Sequence, residues 1–349
     1  MRMPDFPQRL IAWQKLHGRH DLPWQAKFNP RRDPYVIWVS EIMLQQTQVT
    51  AVIGYYQRFM QRFPTIASLA NAEQEEVMQH WSGLGYYSRA RNLHSAARII
   101  MDEHAGVFPR DFEQILSLPG IGRSTAAAIA SFAFDTPQAI LDGNVKRVFA
   151  RHFLVEGWPG LPKVEKQLWQ LAQDLLPETG MVAYTQGLMD LGATLCTRSK
   201  PRCVACPLQQ SCKAFQHNRT GDLPTSKPRK VIPERQVTML LLLHAGEIML
   251  EKRPPSGIWG GLWSLPEVGA TDDAERIARQ RFGVETETLP VLPAFTHTFS
   301  HFRLHITPQP LRVTKHLPEA RESGLVWLSY EDAIGAALPA PIRKLLITL

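Results

Sequence analysis

Cysteine is scarce in this 349-residue chain: there are four, and all of them fall between positions 196 and 212. With none scattered elsewhere, the chain does not read as a disulfide-stapled scaffold. Long apolar runs are absent as well. A characteristic one, Met239–Leu243, has five residues, far short of the roughly 18 needed to cross a bilayer, so no membrane segment is expected. Met1–Leu10 has no apolar core of the secretion-signal kind, which predicts a reducing, cytoplasmic setting. There is no tandem repeat and no low-complexity tract, which excludes solenoids and repeat arrays. Charged residues make up only 20% against 44% hydrophobic, a balance that excludes an intrinsically disordered chain. The length suits about two domains, each able to bury a core.

Acidic residues are outnumbered, 32 against 39 Lys and Arg, for a net charge of +7. The excess is local. Cys196 to Arg235 carries nine bases (Arg198, Lys200, Arg202, Lys213, Arg219, Lys227, Arg229, Lys230, Arg235) against Asp222 and Glu234. That segment alone equals the surplus of the whole chain. A concentrated basic block is a polyanion footprint, most often for nucleic acid.

Residues 5–212 read as helices, with apolar residues recurring at three and four: Ile37, Val39, Ile42, Met43; Leu93, Ala96, Ala97, Ile100; Leu168, Leu171, Leu175. Gly221, Pro224, Pro228 and Pro233 stand among the bases that follow, as in a linker. The period then changes. Val237–Leu243, Glu247–Leu250, Phe302–Ile306 and Leu325–Leu328 are strand-like, and Asp273–Phe282 reads as a helix among them. The fold expected is a mostly α N-terminal region, residues 1–215, a basic linker, 216–235, and a smaller α+β domain, 236–349.

The cysteines, Cys196, Cys203, Cys206 and Cys212, follow C-x6-C-x2-C-x5-C. Clustered thiols in a reducing compartment point to metal. Four sulfurs suit one zinc or one iron–sulfur cluster, and spacing does not choose between them. Arg198, Lys200, Arg202 and Lys213 crowd this loop, so a metal-stapled loop aimed at phosphates is the functional reading.

Leu118-Pro119-Gly120-Ile121-Gly122 lies between two helical patterns, with Asp111 placed to cap the first and the Ala-rich Arg123–Phe134 forming the second. Glycines here permit a tight turn and leave amides open at a helix N-terminus, a phosphate site that needs no base-reading side chain. Two carboxyls stand out. Glu41 lies in Ser40-Glu41-Ile42-Met43-Leu44, a largely apolar stretch that should hold it protonated. Asp142 heads Asp142-Gly143-Asn144-Val145, where helix amides and dipole should favour its ionised form. Two carboxyls with pKa values pushed apart suit glycosidic chemistry: one gives a proton, the other stabilises an oxocarbenium-like state. On a nucleic acid, that chemistry requires the base to be flipped out.

SEIMLQQTQV, GLGYYSRARNL, LPGIGRSTA, LDGNVKRV and the cysteine loop occur in this order and together resemble the helix–hairpin–helix DNA glycosylases with a cysteine-ligated cluster, over nearly the whole chain. Two features resemble the adenine DNA glycosylase (MutY-type) branch rather than endonuclease III. Ser124 stands where endonuclease III-like enzymes carry the lysine that attacks the sugar. Arg253–Trp263 resembles a segment of the MutT-like (Nudix-fold) domain of that branch, yet no Glu-rich hydrolase box follows Pro266, which implies a binding module.

The resemblance implies duplex DNA with adenine opposite 8-oxoguanine or guanine as substrate, a [4Fe-4S] cluster on Cys196, Cys203, Cys206 and Cys212, and a monomer in the cytoplasm, associated with the nucleoid through DNA. It implies Glu41, Asp142 and Asn144 as catalytic residues. Trp24, Gln25, Leu44 and Gln186 would line the base pocket, with Gln25 where others carry arginine and Gln186 where some carry glutamate. Ser124 stands where some members have tyrosine. Gln46 and Tyr86 would wedge into the duplex, Thr298, Phe299, Ser300 and His301 would sense 8-oxoguanine, and Leu118, Gly120 and Gly122 would meet the DNA backbone. The alternatives are a bifunctional glycosylase/lyase on oxidised pyrimidines, a non-catalytic damage-binding protein with a structural zinc, and a nucleotide hydrolase.

Overall fold

The computed structural model describes residues 5–25, 27–228, 231–317 and 324–349. They form two compact units: Met1–Asn71 with Asn92–Arg229, and Ala72–Arg91 with Lys230–Leu349.

The first unit is helical, as the three-and-four spacing requires. Six helices carry the site: α1 (Asp5–His17), α2 (Pro34–Leu44), α3 (Phe112–Ser117), α4 (Arg123–Phe134), α5 (Gly143–His152) and α6 (Met181–Asp190). Their starts follow local chemistry. Asp33 caps α2 by accepting from Tyr35 N–H, with Pro34 at the first helical position. Asp111 caps α3 through Gln114 N–H, and Asp142 caps α5 through Val145 N–H. Helix α2 is apolar nearly all round and buries Tyr35, Ile37, Trp38, Val39, Ile42 and Met43. Such a helix belongs in a core, and α2 packs against α4. Leu10, Ala127, Val145, Phe149, Leu168, Tyr184 and Leu188 form a second buried cluster that joins α1, α4, α5 and α6. After α6 the chain takes one π-helical turn, Leu191–Leu195, closed by Cys196 N–H on Leu191 C=O at 2.7 Å. Such turns recur at functional sites.

The second unit holds one eight-stranded sheet: β1 (Glu234–His244), β2 (Glu247–Lys252), β3 (Trp263–Ser264), β4 (Glu267–Gly269), β5 (Val284–Thr288), β6 (Phe295–Thr298), β7 (Arg303–His316) and β8 (Leu325–Ser329). The central pair, β1 and β7, is parallel, from Glu234↔Arg303 to Leu243↔Arg312. The other pairings are antiparallel. β1 starts at Glu234, just inside the stretch read as linker, because Glu234 is ion-paired to Arg303 at 3.1 Å. β7 runs well past the predicted Phe302–Ile306, held on both sides by β1 and β5. Leu240, Leu242, Met249, Phe282 and Leu311 form the core of this unit, with helix α7 (Ala274–Phe282) covering it. Ala72–Arg91 belongs here: Gln79 Nε2 donates to Gly335 C=O at 2.8 Å, and Ser82 Oγ to Leu338 C=O at 2.7 Å.

Candidate active site

Helices α2 and α5 bring Glu41 and Asp142 within each other's electrostatic reach. Burial, and then repulsion from Asp142, pushes Glu41 up from the ordinary 4.5 to about 8. Glu41 keeps a little exposure, but its carboxyl is desolvated among the apolar neighbours of α2. This is the behaviour its sequence context predicts.

Asp142 differs from expectation in one respect. Its cap bond is there, Val145 N–H donating to Oδ1 at 2.7 Å, but burial outweighs it and raises the Asp142 pKa overall. The backbone N–H groups of Val145 and Asn144, the charge of Arg147 and the Asn144 side chain oppose that rise. Cap and dipole arguments see only the helix end, whereas the tertiary fold also desolvates it. The order within the pair is still clear on physical grounds. Asp142 has four stabilisers of its anion, Glu41 is raised by both of its causes, and two close carboxyls do not ionise together easily. Asp142 therefore carries the charge and Glu41 the proton.

Behind Asp142 stands a chain of hydrogen bonds. Asn144 Nδ2 donates to Asp142 Oδ2 at 3.4 Å. Arg147 Nη2 donates to Asn144 Oδ1 and to Gly192 C=O, and Arg147 Nε to Cys196 C=O, each at 2.7 Å. Gly192 is needed for close approach: a Cβ there would lie 2.6 Å from Asn144 Cβ and 3.2 Å from Asn144 Cα. Ser124 Oγ, at the head of α4, accepts Leu141 N–H at 3.0 Å and so anchors the chain one residue before Asp142.

A cleft of about 540 Å³ opens in the same unit, and Trp24, Gln25, Ile37, Ser40 and Gln186 are among its lining residues. Ser40 is the neighbour of Glu41; Glu41, Asp142 and Leu44 are themselves outside this lining. Leu44 ends α2 and is half-buried. Trp24 is buried edge-on to Tyr56, with ring centroids 5.2 Å apart. Gln186 Nε2 donates to Asp190 Oδ1 at 2.8 Å. Gln46 is exposed in a left-handed conformation, φ 57°.

The hairpin between α3 and α4 turns at Gly120, φ 80°, where a Cβ would come within 2.8 Å of Asn92 Cβ. Gly122 precedes α4, and no side chain caps that helix. Leu118 is buried, and its backbone is engaged within the turn: its N–H donates to Ile115 C=O at 3.3 Å and its C=O accepts Ile121 N–H at 3.2 Å.

All four cysteine side chains border one cavity and are free of disulfides. Arg151 Nη1 donates to Cys196 Sγ at 3.4 Å. Among the described residues, no three His, Cys, Asp or Glu side chains are arranged to hold a single metal ion. Burial pushes the Cys206 thiol up to about 12 and raises Cys203 and Cys212 too, with the neighbouring sulfurs adding to the rise. Thiolates packed this way need a cationic group to stay ionised.

In the second unit, Tyr86 is exposed in a left-handed conformation, φ 50°. The Arg89 guanidinium lies 5.4 Å from both the Tyr86 and Trp81 rings. Thr298 ends β6, and Phe299, Ser300 and His301 form the bend that leads to β7. Thr298, Ser300 and His301 are exposed, whereas Phe299 is half-buried, stacked on Phe302 at 4.6 Å and 5.5 Å from Trp259. Sequence reading missed Arg147, Asp190, Gly192 and Trp259. Their partners lie elsewhere in the chain or have no motif spacing, although a lone acid in the apolar Leu188–Leu195 run was a legible signal for Asp190.

Residues 39–174 match the HhH-GPD superfamily of base excision DNA repair proteins, and residues 237–348 match the NUDIX domain. The adenine DNA glycosylase of Buchnera aphidicola subsp. Baizongia pistaciae is 36% identical over 342 residues, covering 98% of this chain and 95% of that protein. The human adenine DNA glycosylase is 35% identical, covering 97% of this chain and 73% of that protein. Among solved structures, a thermostable thymine-DNA glycosylase superposes with a TM-score of 0.55 at 30% identity, over 62% of this chain and 97% of that one. A non-covalent endonuclease III–DNA complex shares the fold, with a TM-score of 0.52 at 22% identity, over 62% of this chain and 98% of that one. No described helix is long and apolar enough to cross a membrane. Likeness of this kind over nearly the full chain, on a helical unit that pairs two carboxyls beside a cleft, places the protein in the adenine DNA glycosylase family, as a DNA N-glycosylase of base excision repair.

Proposed function

We propose that the protein hydrolyses the N-glycosidic bond of adenine mispaired with 8-oxoguanine or guanine in duplex DNA, leaves an abasic site, and does not cut the strand. The observation that carries this reading is the divided carboxyl pair: Glu41 held protonated to about 8 by burial and by the charge of Asp142. The flipped base would occupy the cleft lined by Trp24, Gln25 and Gln186, with Leu44 at the end of α2 outside that lining. Glu41 gives its proton to the ring as the bond to C1′ breaks, so the base leaves neutral. Asp142 offsets the positive charge that grows on the sugar. Asn144 and Arg147 hold Asp142 facing it. Once the base has gone, Glu41 is the anion that takes a proton from the attacking water.

Ser124 supports a monofunctional enzyme, because its hydroxyl has no amine with which to form a Schiff base. The hairpin amides around Leu118, Gly120 and Gly122 suit a phosphate. Gln46 and Tyr86, both exposed on strained backbone, suit insertion between bases, and Thr298 to His301 suit the sensing of 8-oxoguanine. Cys196, Cys203, Cys206 and Cys212 fit a [4Fe-4S] cluster: the four residues line one cavity, and thiolate sulfur is the ligand such clusters take. When bound, the cluster ties the basic loop together and keeps the thiolates ionised. We take the protein to act as a monomer in the cytoplasm.

The test is incubation with a duplex carrying adenine opposite 8-oxoguanine, followed for free base and for alkali-dependent strand cleavage. The parent should release adenine, and Glu41→Gln should bind the duplex while releasing at least about a hundredfold less. Release by that variant at the parent rate would sink the assignment. Strong trapping by borohydride during turnover would favour the lyase reading instead.

A further inference from the structure

Asp190 ends α6 with its side chain almost wholly buried, and it collects three donors. Its Oδ1 accepts Arg19 Nε at 2.7 Å and Gln186 Nε2 at 2.8 Å, and its Oδ2 accepts Arg19 N–H at 2.9 Å. Arg19 passes the order on, since its carbonyl accepts Gln25 Nε2 at 2.8 Å while Gln25 Oε1 accepts Leu22 N–H at 3.0 Å. Of the glutamines that line the cleft, Gln186 is thus held by the buried carboxylate itself and Gln25 by the backbone of its Arg19 partner.

The consequence lies in the amide of Gln186. An ionised carboxylate only accepts, so the amide must turn its NH2 group to Asp190. Flipping it would set two acceptors against each other in a buried place, which is costly. Gln186 therefore has its carbonyl oxygen, an acceptor, left for whatever enters the cleft. An acceptor there favours a base with an exocyclic amino group at C6 and disfavours one with a keto oxygen. We infer that Asp190 is a positioning residue that sets which way round Gln186 reads the base, and so selects amino-purines over oxo-purines. This rests on the proposal that a flipped adenine occupies the cleft.

The test compares single-turnover release of adenine and of hypoxanthine, each opposite 8-oxoguanine, in the parent, Asp190→Asn and Gln186→Met. Hypoxanthine differs from adenine by carrying oxygen at C6, and its intrinsic lability cancels when the ratio is compared between proteins. The side-chain amide introduced by Asp190→Asn can donate as well as accept, which frees Gln186 to rotate, and the thioether introduced by Gln186→Met has no acceptor of this kind. Each variant should lower the adenine-to-hypoxanthine ratio by about tenfold. Gln186→Met leaves the Arg19–Asp190 pair intact, so it can still overturn the inference if Asp190→Asn does not fold. A parental ratio in Gln186→Met, or in a folded Asp190→Asn, overturns the inference. A parent that releases no adenine overturns the proposed function instead.

Discussion

Glu41 should cost the folded protein stability in proportion to its ionisation, and Glu41→Gln should recover it. Burial first, and the charge of Asp142 second, raise its pKa from the ordinary 4.5 to about 8. A folded-state value above the unfolded one means that the native protein binds this proton more tightly. The penalty is absent below 4.5, grows as pH rises from there to about 8, and is complete above that. At about 1.36 kcal/mol per pH unit, the ceiling is roughly 5 kcal/mol. Residual exposure and the concurrent titration of Asp142 reduce this, and about 2–3 kcal/mol is expected. Gln keeps the shape and has no charge to desolvate. Urea unfolding followed by circular dichroism should find the two proteins nearly equal at about pH 5 and the variant more stable at about pH 9. A gap of the same size at both pH values, or a more stable parent at the higher one, refutes the reasoning. The same substitution that abolishes base release would then stabilise the fold, the usual relation between an active site and the strain it holds.

Ser124→Ala removes the acceptor of Leu141 N–H; it should lower stability by about 1 kcal/mol in denaturant titration while leaving borohydride trapping as weak as in the parent. Gly192→Ala drives a methyl group into Asn144. It should slow single-turnover release at least about tenfold with duplex affinity retained, and an unchanged rate would show that the Arg147–Asn144 chain does not position Asp142. Phe299→Ala removes the stack on Phe302 and the contact with Trp259. The preference for 8-oxoguanine over guanine opposite adenine should shrink, and equal losses on both mispairs in single-turnover kinetics would contradict a sensing role for that bend.

Much of the fold was legible because its causes are local. Asp111 and Asp142 cap helices through amides three residues away, so the sequence alone marks those boundaries. The change from a three-and-four to a two-residue period after Glu234 announces the sheet, and the four cysteines, being neighbours along the chain, announce their cavity. The site was legible only as a pair of candidates. Spacing did not reveal that Ala72–Arg91 would join the sheet-bearing unit, because exposed-looking helical segments find their partners through nonlocal packing.

What the sequence by itself determined is therefore the roster: an acid on an apolar helix, an acid at a helix head, a glycine hairpin, a cysteine loop. Tertiary structure alone decided their states. The proton on Glu41, the burial that acts against the cap of Asp142, the reach of Arg147 from Asn144 to Cys196, and the grip of Asp190 on Arg19 and Gln186 all depend on groups brought together by the fold. Desolvation and through-space charge follow the fold and not the distance along the sequence.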